Sequence, residues 1–235
     1  MRNDVIEIVR EVAAGIPALR PGRPPTSRDA MFRVFQALDE PLSAALRARL
    51  PEGEWVLDAL DGAVQFLQGL PQWCVTATLV EHGEPVLAVL HSPLLGETYS
   101  AERGAGAWRD GVRIAPSRKT ELAAAVAATS QPPALAPQPA ANALAGRKLP
   151  AVVDRVAAVR NLGPTSWQVA DVGAGRLDLF WEFGLDAENL LGASLVAREA
   201  GATVTTAGGD AWHAGAESFL VAAPGLHAAA VGLLG

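Results

Sequence analysis

The sequence predicts a mixed α/β protein, α+β in its first half and α/β in its second. Three observations carry this. Two segments of helical apolar spacing come first. A block of β-type runs follows, punctuated by the turn pairs His82-Gly83 and Asp110-Gly111. Beyond about residue 155, short apolar strands alternate with helical stretches, the rhythm of a sheet covered by helices.

The elements follow in order. Val5, Ile6, Val9 and Val12 predict an amphipathic helix over 4–15, not a secretory signal. "IPALRPGRPPTSRD" reads as a loop, rich in Pro and Arg. "DEPLSAALRARLP" reads as a helix with Asp39 as N-cap, Pro41 in its first turn and Pro51 as its stop. "EWVLDAL" is a strand, and "DGAVQFLQGLP" opens a short helix after Asp61. Two strands meet at His82-Gly83, and further short strands surround Gly104, Gly106 and Asp110-Gly111. "SQPPALAPQPAANALAGRKLP" is the seam between halves, 1–122 and 123–235, or else a degenerate helix of the second half. A strand at 156–159, a helix over 165–174, the strand "RLDLFWEF", a helix over 188–200, strands at 203–205 and 219–222 and a terminal helix complete the chain.

Composition narrows the function. Half of the 235 residues are hydrophobic, enough for a sizeable core. No apolar run has the length of a membrane span, so no membrane role is expected. A net charge of -6 without a basic stripe argues against nucleic-acid binding. The single cysteine, Cys74, excludes an internal disulfide and reads as inert core; a cytoplasmic location is the default expectation. His91 and His213 have no partner at metal spacing, and the glycines of "GAGAW" lack the strand–turn–helix setting of a nucleotide loop.

The chemistry concentrates in "WVLDALDGAVQF". Asp58 ends an apolar run, and Asp61 and Gly62 follow as a turn-like pair. "DALDGA", with the collinear stretches "FLQGLPQWCVTATLVEHGEPVLAVLHSPLLGETYSAERGAGAW", "RNLGPTSWQVADVGAGRLDLFWEFG" and "REAGATV", resembles the magnesium-dependent phosphomonoesterases of the inositol monophosphatase family, relatives of fructose bisphosphatase. The resemblance implies a layered αβαβα sandwich and a Mg2+ site. Asp58 would bridge metals, Asp61 would bind the second, and the Leu60 carbonyl would add a ligand. The amides of Gly62, Ala63 and Val64 would cradle the phosphate at a helix start. Asp39 would keep the family's aspartate on the preceding helix, and Glu182 would match a glutamate that contacts substrate hydroxyls. Asn189 would stand where the family has a metal-binding aspartate. A small phosphate ester, or another small metabolite, is the implied partner, and a homodimer the implied assembly.

The departures bear on activity. Ala63 replaces a threonine whose hydroxyl orients the attacking water, and Ala offers no hydrogen bond. Asn189 is a neutral, weaker ligand, with Asp186 three residues earlier as a substitute if its loop shifts. The family's acidic loop is reduced to "PEGE", leaving Glu52 or Glu54 to stand in. Blander readings remain open. Asp58 and Asp61 can be turn formers, Asn189 a helix N-cap, and Glu182 a solvated strand-end acid. Three functions therefore compete: a hydrolase with a weakened metal site, a non-hydrolytic pseudoenzyme, or a repurposed enzyme using the old cavity without metal.

Overall fold

The computed structural model describes residues 1–131 and 137–235. Its first sheet is an antiparallel meander of β1 (Glu54–Asp61), β2 (Cys74–Glu81), β3 (Glu84–Ser92), β4 (Glu97–Glu102), β5 (Gly106–Arg109) and β6 (Val112–Arg113). The expected turns fall where only special backbone serves. His82 and Gly83 have φ of 54° and 78°, and Asp110 and Gly111 have 50° and 79°. Two successive positive φ values match the right-handed twist of the flanking strands.

One face of this sheet is covered by α1 (Arg2–Ala14) and α2 (Arg28–Arg47). The α1 stripe of Val5, Val9 and Ala13 is fully buried there. α2 corrects the sequence reading. It spans 20 residues, its N-cap is Ser27, whose hydroxyl accepts the Ala30 amide at 3.2 Å, and Asp39 and Pro41 lie in its interior. Met31, Val34, Phe35, Leu38 and Leu42 form one apolar stripe against the sheet. That packing outweighs the hydrogen bond lost at Pro41, and a stripe this long cannot be interrupted at Asp39.

The second sheet runs β10–β11–β9–β7–β8. β7 (Val126–Thr129) lies parallel to β8 (Ala158–Arg160) and β9 (Leu179–Phe183), while β11 (Ser218–Ala222) is antiparallel to β9 and to β10 (Thr203–Thr205). α5 (Thr165–Gly173) and α6 (Ala187–Ala200) fill the space between the sheets, and α4 (Pro139–Val153) and α7 (Pro224–Leu234) cover the far face. The layers are thus αβαβα. The Pro- and Ala-rich segment, 130–150, enters the helix α4 at Pro139, and α4 runs past it to Val153; the segment's residues 132–136 lie outside the described residues. The central core joins Cys74, Leu90 and Tyr99 from the first sheet to Trp167, Phe180 and Leu190 beyond residue 122. Among the described residues no helix is long and apolar enough to cross a membrane.

Candidate functional site

The acids gather where β1 ends. Side chains three apart on a regular strand face opposite sides of a sheet. β1 departs from regularity: Asp58 pairs with Thr76 and Asp61 with Cys74, so three steps on β1 oppose two on β2. This bulge returns Asp61 to the face of Asp58 and leaves Leu60 outside the paired register. Two acids hold the bulge. Asp58 Oδ1 accepts the Leu60 amide at 2.9 Å, and Asp39 Oδ1, from α2, accepts the Ala59 amide at 3.3 Å. The Ser43 hydroxyl donates to Asp39 at 3.5 Å.

The chain then reverses at Gly62, φ +91°, where a Cβ would lie 3.0 Å from the Gln72 carbonyl oxygen. Glycine alone accepts both that conformation and that approach. α3 (Ala63–Gln68) starts at once, so the amides of Ala63, Val64 and Gln65 have no helical acceptor. Val64 is half exposed.

The opposite wall comes from the second half. Ser166, in the first turn of α5, donates its hydroxyl to Asp61 Oδ2. The Cys74 thiol lies 3.8 Å from that oxygen and 3.4 Å from the serine. Thr165 donates to Glu182 Oε2 at 3.5 Å. Asp186 occupies the cap position of α6, and its Oδ1 accepts the Asn189 Nδ2 at 2.7 Å. The Asn189 Oδ1 is buried without a partner.

Burial and mutual repulsion govern the charges. Burial, then the neighbouring Asp61, pushes Asp58 well above the usual carboxylate range. Burial lifts Asp61 to about 6 although the Ser166 hydroxyl and amide pull it down. Asp186 rises to about 7, through burial and then the charge of Asp61, and Glu182 rises well above its ordinary value through burial and then Asp186. Asp39 is raised by burial, with Glu188 adding to it. As carboxylates, Glu182 Oε1 and Asp186 Oδ2 have no donor; a proton on Glu182, which its raised pKa favours, joins them.

Several expectations are corrected by this arrangement. Asn189 is not the α6 cap; Asp186 is, and its loop already faces Asp61. Glu182 is 1% exposed, so it is no solvated strand-end acid. Glu52 and Glu54 are exposed at the far end of β1. Four residues of strand, about 13 Å, separate Glu54 from Asp58, so neither acid reaches the bulge. Sequence reasoning missed Thr165 and Ser166, whose signal was the hydroxyl pair directly after Gly163-Pro164.

Asp58, Asp61, the Leu60 carbonyl and the Asn189 amide oxygen are hard oxygen donors, the kind that magnesium takes while keeping several waters. The unpartnered Asn189 oxygen and the crowded acids fit such an ion in kind. Among the described residues, no three His, Cys, Asp or Glu side chains form a group that could hold a metal.

The family model described as "Inositol monophosphatase family" matches residues 33–234. An inositol-1-monophosphatase of Rhizobium meliloti is 37% identical over 158 residues, covering 66% of this chain and 57% of that protein. A fructose-1,6-bisphosphatase/inositol-1-monophosphatase of Thermotoga maritima is 31% identical over 166 residues, covering 71% of this chain and 61% of that protein. The chain thus spans under two thirds of the length of these relatives. The solved structure of Mycobacterium tuberculosis SuhB superposes with a TM-score of 0.82, with 26% identity over 99% of this chain and 94% of that one. With its layers, its β1 bulge and these matches, the chain belongs to the inositol monophosphatase family.

Proposed function

We propose that the chain binds a phosphate monoester of a polyol, sugar or nucleotide beside a weakly held magnesium ion and hydrolyses it slowly. The observation that supports this most is the bulge that sets Asp58 and Asp61 on one face at the start of α3. When bound, magnesium would neutralise phosphate oxygens and acidify a water. The chain's own residues do the rest. Asp58, Asp61, the Leu60 carbonyl and Asn189 supply oxygens, and the amides of Gly62, Ala63 and Val64 donate to the phosphate. Asp39 keeps the bulge in register through Ala59 rather than touching substrate. Glu182, enclosed behind Thr165, orients that wall. Ala63 offers no hydroxyl to orient the attacking water, and the loss of such a group typically costs ~10²–10³ in rate.

A second reading, a binder that does not hydrolyse, is favoured by Ala63 and by the distance of Glu52 and Glu54 from the bulge. A cytoplasmic location and a homodimer accompany both readings. Five of the six tryptophans, Trp55, Trp73, Trp167, Trp181 and Trp212, are buried inside the protomer and offer no surface to a second copy.

Phosphate release from a panel of polyol, sugar and nucleotide monophosphates, with and without magnesium, tests the proposal. Slow, magnesium-dependent turnover that Asp61→Asn reduces at least ~10²-fold is expected. Magnesium-dependent ligand binding without turnover selects the second reading. Neither binding nor turnover sinks both.

A further inference from the structure

We infer that the Ser166 hydroxyl is an internal competitor for the cation at Asp61, and that this residue sets how weakly the site holds metal. The inference rests on the cation reading above. Asp61 is 5% exposed and Ser166 1%, so their hydrogen bond is sheltered from water. The oxygen that receives the hydroxyl, Asp61 Oδ2, is also the one nearest the Cys74 thiol. A cation that takes this oxygen displaces the serine proton. Among the described residues the hydroxyl then has the Cys74 sulfur, 3.4 Å away, as its alternative, and sulfur is a weak acceptor.

Ser166 cannot simply swing away. It sits in the first turn of α5, every residue of which is buried, and Trp167 beside it is locked edge-on against Tyr99 at 4.9 Å between ring centres. In a dry site, a donor to a carboxylate partly replaces the positive charge an ion would bring. Asp58 differs. The Leu60 amide that donates to it is backbone within its own bulge, which no side-chain substitution removes, so Ser166 is the adjustable element.

Manganese binding to the full chain, by titration calorimetry and by the paramagnetic resonance of the free ion, tests the inference. Ser166→Ala should bind manganese about tenfold more tightly, the scale of one sheltered hydrogen bond to a charged group. In chelator its melting temperature should fall, and manganese should raise it by more than it raises the parent's. Ser166→Cys, a weaker donor of similar size, should lie between. The effect should vanish when Asp61→Asn is also present. Equal or weaker binding by Ser166→Ala overturns the inference and makes the serine a support for the ligand or a bystander. Binding by none of the proteins overturns the cation reading itself, and the inference with it.

Discussion

Asp61 and Asp186 come from opposite halves of the chain, yet each loses part of its acidity first through burial. Asp61 sits at about 6 and Asp186 at about 7, against an ordinary 3.8. Asp39, Asp58, Asp171 and Glu182 are raised too, each chiefly by burial. A raised carboxyl keeps its proton in the fold at a pH where the unfolded chain has released it. The native state then binds more protons, so stability falls as pH rises from about 4, with Asp61 giving up its share near 6 and Asp186 near 7. His91 and His227, lowered by burial, act in the opposite sense, but they are two imidazoles against these six carboxyls. In chelator, urea unfolding should therefore show a loss of roughly 2–4 kcal/mol between pH 5 and pH 8, less than a simple sum because coupled groups do not add. Magnesium should restore part of it at pH 8 and little at pH 5. A flat profile would mean that the cluster is better solvated than its burial indicates.

The junction from β1 to α3 was readable at the level of elements. An apolar run ending in acids, then glycine, then an amphipathic turn, has few other solutions. The bulge was not readable, because nothing in "DALD" marks where a ladder gains a residue. The role of Asp186 depends on a loop whose course only tertiary packing fixes. Likewise β7, "VAAT", is only four residues long with two alanines between its branched ends, a weak strand signal; it is one because it is clamped in parallel on both sides. α2 was read too short because Pro41 looked like a first turn, while the better signal, Ser27 with Asp29 two residues on, stood in a stretch dominated by Pro and Arg. At this scale Gly62→Ala is the informative substitution. It forces a left-handed φ on a side chain whose Cβ would press the Gln72 carbonyl, so it should cost about 2 kcal/mol or more in urea unfolding. It should also weaken phosphate binding, since α3 can relieve the contact only by moving its amides. Unchanged stability would show that the junction is looser than its contacts imply.

Across the whole molecule, the site is a seam between two sheets, and that gives it a property neither sheet has alone. The first sheet contributes Asp58, Leu60 and Asp61, and Asp39 follows from the helix layer behind it. The helices between the sheets contribute Thr165, Ser166 and Asn189, while Glu182 comes from β9 and Asp186 from the α6 cap. The repulsion between Asp61 and Asp186 therefore acts across the seam and pushes the layers apart. The network of buried Tyr99 and Asp171 with the more exposed Arg176 and Glu97 pulls them together, with the Tyr99 hydroxyl 2.7 Å from Asp171 and Arg176 bridging Asp171 and Glu97. A cation at Asp61 weakens the first force and leaves the second untouched, so it should tighten both walls at once. Hydrogen exchange followed by mass spectrometry can read this directly. Manganese should slow exchange in the β1–α3 junction and, at the same ion concentration, at the starts of α5 and α6. Protection confined to β1 and α3 would mean that the ion is held by the first sheet alone and that the acids across the seam have no part in holding it.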